Sequence, residues 1–221
     1  MKQILIACAM LEDEIKKVYD EQNCQIPIIW IDRGYHNTPK KLKEELQGQI
    51  DRLQEYDEIL LTFGLCGNGT EGIISPSARL IMPRFDDCIN MLLCRGHREH
   101  RGLAEAGSIY LTRGWTLESE SILSQYDTYV EEYGEETAEE ILEMMYEHYE
   151  SISVIDTKSY DLTPVRDYAK KAGDLLGLSS HTVEGSTELL RQLLLGQWDE
   201  NFLILEPGQS VKAMDFEFPE P

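Results

Sequence analysis

The sequence is poor in basic residues and contains no long apolar run. Its 221 residues include 20 Lys and Arg against 41 Asp and Glu, which gives a formal net charge of −21. Such a charge repels a phosphate backbone, so we expect no nucleic-acid partner. The longest apolar stretches, among them Ile28–Ile31 and Leu189–Leu195, are far too short to span a bilayer, so we expect no membrane partner. The first ten residues lack the features of a signal peptide, and we expect a cytoplasmic protein.

The sequence also lacks closely paired cysteines. Its five cysteines are spread along the chain without a disulfide-like framework or a C-x-x-C pair. In a reducing cytosol such cysteines are expected to be free thiols, metal ligands or a nucleophile. We interpret Cys24 and Cys94 as structural, because an isolated cysteine usually behaves as a small buried hydrophobic residue.

Lys and Arg are missing altogether from residues 117–150, a segment that contains 12 acidic residues. Two interpretations are open. The segment is either a solvated helical face that keeps this acidic protein soluble, or a surface on which a basic protein partner docks.

Short, almost continuously apolar runs alternate with helical patterns along the chain. Such runs are typical of strands that are covered on both faces. Between two of them, Pro39–Tyr56 places apolar residues on one helical stripe. The alternation predicts an α/β fold with mostly parallel sheets flanked by helices. The predicted strands are Ile4–Ala9, Ile26–Ile31, Ile59–Leu65, Leu80–Met82, Ile109–Thr112, Ile152–Ile155 and Phe202–Leu205.

Two segments, residues 31–39 and 155–164, resemble each other. Both contain Ile-Asp, a short gap and then Tyr-x-x-Thr-Pro at the start of a predicted helix. A duplication would give two similar Rossmann-like lobes with a cleft between them, whereas Thr-Pro is also a common helix start in unrelated segments. On the duplication hypothesis, residues 1–105 form an amino-terminal α/β lobe, 106–208 a carboxy-terminal α/β lobe and 209–221 a tail. A small-molecule substrate or cofactor would then bind in the cleft between the lobes.

Three cysteines, Cys8, Cys66 and Cys88, follow the ends of predicted strands. Ligands of open α/β sheets bind outside the carboxyl ends of the strands, so we expect the three thiols at one site. Thiolates bind zinc and other thiophilic metals. The sequence therefore predicts a metal site, for zinc or a similar ion, with these three cysteines as ligands. Substrate, water or a side chain such as Glu12 would take the fourth position.

The turn around Cys66 is rich in glycine. Glycines tolerate positive φ and allow the backbone to approach a ligand closely, and the amides of such a turn can face an anion. The turn differs from a nucleophile elbow, because asparagine stands where that motif has its last glycine. A tight structural turn is the other interpretation. The predicted ligand-binding residues in this turn are Gly64, Gly67, Asn68 and Gly69.

Cys66 is also a candidate catalytic residue that needs no metal. In this second hypothesis it is a nucleophile at a strand-to-helix turn, and the helix amino terminus favours its thiolate. Backbone amides of the turn would form an oxyanion hole, and His36 would act as the base. In the first hypothesis the candidate catalytic residues are Cys66 and Glu12.

Three further residues are predicted to bind ligand. Asp86, close to Cys88, is placed to orient a ligand, although the Asp86–Asp87 pair also suits a helix cap. Asp156 ends a predicted strand and recurs as Asp32 in the repeated segment. Trp115 would form an aromatic wall, or would pack in the core.

Five stretches of the chain carry a resemblance to a known family. They are the strand end at Cys8, Tyr35–Pro39, Gly64–Gly69, Pro83–Cys88 and Gly114–Trp115. Together they resemble the pattern of domain-of-unknown-function family 1638, over about residues 4–208. The resemblance implies an origin in anaerobic bacteria or methanogenic archaea and a link to corrinoid-dependent methyl transfer, which suits a thiol-rich metal site. Because the Asp-x-His-x-x-Gly motif of base-off cobalamin domains is missing, we prefer a protein-bound metal to a bound cobalamin.

Overall fold

The computed structural model describes residues 1–94 and 104–217. These residues form two units: 1–94 together with 186–217 make the first, and 104–185 make the second. The first change of unit falls close to the predicted lobe boundary at 105. The second change of unit, at residue 186, differs from the prediction, which placed residues up to 208 in the carboxy-terminal lobe. The chain returns to the first unit after residue 185 because Phe202–Leu205 pairs with a strand of that unit.

The fold is α/β with mostly parallel sheets flanked by helices, as predicted. The strands are β1 (Gln3–Cys8), β2 (Ile28–Ile31), β3 (Glu58–Leu61), β4 (Arg79–Pro83), β5 (Ser108–Leu111), β6 (Ser151–Asp156), β7 (Ser179–Glu184) and β8 (Phe202–Leu205). The α-helices are α1 (Glu12–Gln22), α2 (Pro39–Ile50), α3 (Cys88–Leu93), α4 (Arg113–Thr116), α5 (Ile122–Tyr133), α6 (Glu135–Tyr146), α7 (Thr163–Leu176) and α8 (Glu188–Leu195). Short 3₁₀ helices cover Ala9–Leu11, Arg33–Asn37 and Ala213–Phe216.

The first unit contains a five-stranded sheet in the order β2-β1-β3-β4-β8. The first four strands run parallel, and β8 runs antiparallel to β4. The central strands β3 and β4 are apolar and buried along almost their whole length, as expected of strands covered on both faces. All four parallel strands therefore end at the same edge of the sheet.

One face of this sheet is covered by α2, whose apolar stripe was predicted from the sequence. Leu42, Leu46 and Ile50 are buried in one cluster with Ile6 and Leu61 of the sheet. The helix ends at Ile50, earlier than the predicted Tyr56, and the chain turns there into β3. On the other side of the sheet, α8 contacts both α1 and β4.

The second unit contains a three-stranded parallel sheet in the order β5-β6-β7. Helix α7 buries Val165, Ala169 and Ala172 in the same cluster as Ile152 and Val154 of β6. Strand β7 was not predicted, because Ser-Ser-His-Thr-Val-Glu lacks an apolar pattern. It lies at the edge of the sheet and is exposed along almost its whole length.

The repeated segments share a local turn but differ in the sheets that follow. Asp32 accepts a hydrogen bond from the amide of Gly34 at 3.0 Å, and Asp156 accepts one from the amide of Lys158 at 3.1 Å. Each then leads into a helix that begins at a Thr-Pro pair. However, β2 is an edge strand, whereas β6 is the central strand of its sheet. The similarity thus extends to the turn and helix start, and the strand order differs.

No helix within residues 1–94 or 104–217 is both long enough and apolar enough to cross a membrane.

Candidate thiol site

The three predicted cysteines lie at the ends of neighbouring strands. Cys8 is the last residue of β1, Cys66 lies in the turn after β3, and Cys88 follows β4. These strands are adjacent in the sheet and parallel, so their carboxyl ends meet at one edge. All three cysteines are half-buried. The strand order, which the sequence alone does not give, is what brings the three loops side by side.

Cys8 is fixed by a hydrogen bond between strands. Its backbone amide donates to Oγ1 of Thr62 at 2.9 Å, and Thr62 is almost fully buried just after β3. The amide of Thr62 in turn donates to the carbonyl of Ile6 at 3.2 Å. These bonds continue the pairing of β1 with β3 up to the residue that presents the first thiol.

The turn after β3 has an unusual backbone. Cys66, Gly67 and Asn68 all have positive φ, at 49°, 61° and 69°. A left-handed conformation costs a residue with a β-carbon roughly 1–2 kcal/mol, and asparagine tolerates it better than most. A strained cysteine persists only where its surroundings hold it, and such residues concentrate at functional sites.

The loop after β4 holds this turn in place. The amide of Leu65 donates to the carbonyl of Phe85 at 2.9 Å, and that of Cys66 donates to the carbonyl of Asp86 at 2.8 Å. The approach is so close that a β-carbon on Gly64 would lie 2.2 Å from the carbonyl oxygen of Phe85. Glycine at position 64 therefore allows the Cys66 turn and the Cys88 loop to pair through their backbones.

Cys88 is the first residue of α3, which begins at an acidic cap. The Asp87 carboxylate accepts a hydrogen bond from the amide of Asn90 at 2.8 Å. The predicted helix cap is thus confirmed for Asp87. Asp86 itself has an exposed side chain and contributes its carbonyl to the Cys66 turn.

The three thiols influence one another electrostatically. Burial is the main cause that raises the pKa of the Cys66 thiol from its ordinary 9.0 to about 12. The neighbouring charges of Cys8 and Asp87 also raise it, and a hydrogen bond with Gly64 lowers it. Burial also raises the pKa of the Cys88 thiol well above 9.0, with further contributions from Cys8, Cys66, Asp87 and Glu14. Every charged neighbour that acts on Cys88 is acidic. The site is therefore a cluster of acidic groups in which each added negative charge is unfavourable.

Glu14, which was not among the predicted site residues, is the buried carboxyl group of this cluster. It is 1% exposed, and its charge acts on Cys88. Glu12, the predicted residue, forms ion pairs with Lys16 at 2.5 Å and with Arg33 at 2.8 Å. The hydrogen bond from Lys16, with help from Arg33, lowers the pKa of Glu12. The sequence contained a signal for Glu14, because it falls on the same helical stripe as the buried Leu11, Ile15 and Val18.

The expected helix after Cys66 is absent from the structure. Residues 66–72 form turns, and the next strand is β4. The prediction of a strand-to-helix turn at Cys66 is therefore wrong, and no helix amino terminus follows directly to favour its thiolate. Two glycines of this turn instead lie against α2: a β-carbon on Gly67 would lie 3.5 Å from Pro39, and one on Gly69 would lie 2.8 Å from Leu42.

The remaining predicted residues lie outside the three cysteine-bearing loops. Nδ1 of His36 donates to the carbonyl of Arg33 at 2.6 Å, in the 3₁₀ helix after β2. Trp115 and Asp156 belong to the second unit. Trp115 packs against its hydrophobic core, and Asp156 pairs with Lys158.

A formed metal site is not present in the part of the chain that the structure describes. No group of three or more His, Cys, Asp or Glu side chains in residues 1–94 and 104–217 has the arrangement that would hold a metal ion.

The fold and the site define a class: an α/β protein with a cluster of half-buried thiols at the carboxyl edge of a parallel sheet. The chain belongs to the family described as "Protein of unknown function (DUF1638)", whose model matches residues 30–194. Cys66 and Cys88 lie within the matched residues, whereas Cys8 precedes them. Neither the curated proteins nor the solved structures contain a match to this chain.

Proposed function

We propose that the protein binds zinc or another thiophilic metal ion through Cys8, Cys66 and Cys88. The observation that carries this proposal is that three thiols meet at the carboxyl ends of the adjacent parallel strands β1, β3 and β4, with the buried Glu14 acting on Cys88. Burial and acidic neighbours raise the pKa of Cys88, and a cation among the three thiols would oppose that effect. In the absence of a cation, the Cys66 and Cys88 thiols keep their protons at neutral pH.

Metal binding requires the three sulfur atoms to lie within about 4 Å of one another, given a Zn–S distance of ~2.3 Å. Each cysteine side chain reorients by rotation about a single torsion, so loops that already lie together permit such a closure. The hydrogen bonds from Leu65 and Cys66 to the Phe85–Asp86 backbone hold two of the three loops in register. Glu14, buried beside Cys88, is the carboxylate that we propose near the fourth position.

A reaction of this site would use the open fourth position. A thiophilic metal with three protein thiolates lowers the pKa of a bound thiol or water and so supplies a nucleophile at neutral pH. Methyl transfer to a bound thiol is the reaction that the family resemblance favours. In such a reaction the S–C bond would form as the bond between the methyl group and its donor breaks, and the donor would keep the electron pair of that bond. The chain's own groups would hold the metal and exclude water from the half-buried cluster, and the Glu14 carboxylate would take up the thiol proton.

The alternative function is a cysteine-nucleophile enzyme centred on Cys66. The strained backbone of Cys66 favours it, because such strain is common at catalytic residues. A reactive cysteine, however, needs a lowered pKa, and burial raises the pKa of Cys66 to about 12. The metal site is therefore the better supported proposal.

The test is the metal content of anaerobically purified protein. We expect stoichiometric metal in the wild type and loss of it in each of Cys8→Ser, Cys66→Ser and Cys88→Ser. Cys24→Ser is the matched control, because Cys24 is also half-buried but precedes β2, at the opposite edge of the sheet. Cobalt(II) substitution gives a second readout, since thiolate-to-metal absorbance falls with each ligand removed.

Two results would contradict the metal site. Metal-free wild-type protein in which iodoacetamide labels Cys66 far faster than the other thiols would favour the nucleophile. Metal that survives in all three variants would show that it binds elsewhere.

A further inference from the structure

The α5–α6 hairpin of the second unit exposes large apolar side chains. Tyr133 is 57% exposed and Met145 is 49% exposed. Tyr129 connects the two, because its hydroxyl lies 3.9 Å from the sulfur of Met145 and its ring centroid lies 6.4 Å from that of Tyr133. We call Tyr129, Tyr133 and Met145 the Tyr–Met surface. Adjoining apolar side chains that remain exposed on a monomer mark surfaces for interaction.

A cavity of about 410 Å³ adjoins the Tyr–Met surface. It is lined by Ser119, Glu120, Gln125, Thr128, Tyr129 and Met145. Oε1 of Gln125 is shielded from solvent and accepts no hydrogen bond from any described residue. A shielded acceptor without a donor is unfavourable, so the packing beside the cavity leaves one polar atom unsatisfied.

Carboxylates surround these aromatic rings. Hydrogen bonding and the charge of Glu132 raise the pKa of Tyr133. Packing around the ring, with the charges of Glu135, Glu139 and Asp127, raises the pKa of the neighbouring Tyr126. Since residues 117–150 contain no Lys or Arg, these carboxylates have no basic partner within their own segment. A ligand for this surface therefore needs positive charge.

We propose that the Tyr–Met surface binds a basic amphipathic helix of a partner protein. A large apolar side chain would enter the cavity beside Met145, whose flexible thioether adapts to different partners. Lys or Arg residues flanking that anchor would pair with the carboxylates. Helix-in-groove recognition of this kind uses apolar anchors at helical spacing. A second copy of the chain is a poor partner, because it carries the same net charge of −21. This inference is independent of metal binding in the first unit.

The test uses two fluorescent peptides of about 14 residues with identical Leu, Lys and Trp content. One places its apolar residues on one helical face, and the other has them scrambled. Binding to full-length protein is measured by fluorescence anisotropy at low and moderate salt. We expect the amphipathic peptide to bind at least tenfold more tightly than the scrambled one. Tyr133→Ser and Met145→Ser should each weaken its binding about tenfold, which corresponds to ~1.4 kcal/mol.

Met214→Ser is the matched control, because Met214 is a similarly exposed methionine in the first unit. This variant should bind the peptide as the wild type does. Glu120→Lys is a second variant that keeps the apolar residues, and it should also weaken binding. Equal binding of both peptides would reveal charge attraction alone and overturn the proposal, as would no binding at all. Self-association of the wild type that Met145→Ser abolishes would assign the surface to a second copy and overturn it as well.

Discussion

The two units of the chain differ in how they use their sheets. In the first unit, β3 and β4 are buried along almost their whole length, and the loops after them hold the thiols. In the second unit, the edge strand β7 is polar and exposed, and the large exposed side chains lie on a helical hairpin. All five cysteines lie within residues 8–94, and residues 104–185 contain none.

The two units therefore differ in their chemistry: the first holds buried thiols, and the second exposes apolar side chains. In the first unit, burial and acidic neighbours at the carboxyl edge of the sheet raise the pKa of the thiols. Binding a partner requires exposed apolar area, which the second unit has on α5 and α6. A substitution confined to one unit should therefore change either the metal content or the peptide binding and leave the other at its wild-type level.

The largest effect is expected for Gly64→Ala in the first unit. The added β-carbon would lie 2.2 Å from the carbonyl oxygen of Phe85, and backbone atoms on both sides leave little room to move. We expect the free energy of unfolding in urea to fall by about 3 kcal/mol or more. We also expect the proposed metal to be lost, because the Cys66 turn would separate from the Cys88 loop.

Gly48→Ala is the control for this substitution. Gly48 lies within α2, and apart from its chain neighbours and the backbone of its own helix no atom lies within 4 Å of its added β-carbon. Helix propensity alone should then stabilise the protein by up to about 1 kcal/mol. A Gly64→Ala protein as stable as the wild type would mean that the two loops do not need their close approach.

A smaller loss is expected for Gly173→Ala in the second unit. A β-carbon there would lie 2.6 Å from the carbonyl oxygen of Leu178, where α7 ends against the sheet. Urea unfolding should show a loss of about 1–3 kcal/mol. Metal content should stay at the wild-type level, because no cysteine lies in this unit. Loss of metal in this variant would show that the thiol site depends on the second unit.

Alkaline pH should destabilise the metal-free protein through its buried thiols. Cys66 keeps its proton up to a pKa of about 12 when folded, whereas an unfolded thiol loses it near 9. Between these values the unfolded state binds fewer protons, so stability falls as pH rises, by at most about 1.4 kcal/mol per pH unit for one thiol. Well below pH 9 this thiol should contribute no slope, because it is protonated in both states.

Cys66→Ser isolates that contribution, because serine does not titrate in this range. The stability of wild type minus that of the variant, measured by urea unfolding at several pH values, should fall from pH 9 towards pH 12. A difference that stays constant with pH would show that the Cys66 thiol is not buried in the folded state.

The sequence was sufficient to predict the edge of the sheet at which the thiols meet. Parallel strands share one carboxyl edge, so Cys8, Cys66 and Cys88 were expected there from their positions after apolar runs. The adjacency of β1, β3 and β4 was not predictable, because strand order depends on which helices cover which face. Glu14 was missed among three successive acidic residues, which together resemble an ordinary negatively charged helix start.

The second unit was less predictable because its signals are polar. Strand β7 has no apolar pattern, since an exposed edge strand buries neither of its faces. The direction of β8 was also beyond prediction: a short apolar run is the same whether its strand runs parallel or antiparallel. The duplication hypothesis assigned residues 106–208 to the carboxy-terminal lobe, although β8 completes the sheet of the first unit.

The smallest expected effect comes from Asp87, which caps α3 and also acts on the thiols. Asp87→Ala removes the hydrogen bond to the amide of Asn90 and should cost about 1 kcal/mol of stability. Asp87→Asn keeps a capping side chain, so its stability should stay close to that of the wild type. Both variants remove a negative charge that raises the pKa of Cys66 and Cys88, so both should lower these pKa values.

Thiolate absorbance measured against pH in the metal-free protein would separate these two roles of Asp87. If Asp87→Asn left the alkaline titration of the thiols unchanged while Asp87→Ala shifted it, the shift would come from local unfolding of α3 rather than from charge. Equal shifts in both variants would show that the carboxylate acts on the thiols through its charge, which is the property on which the proposed cation site depends.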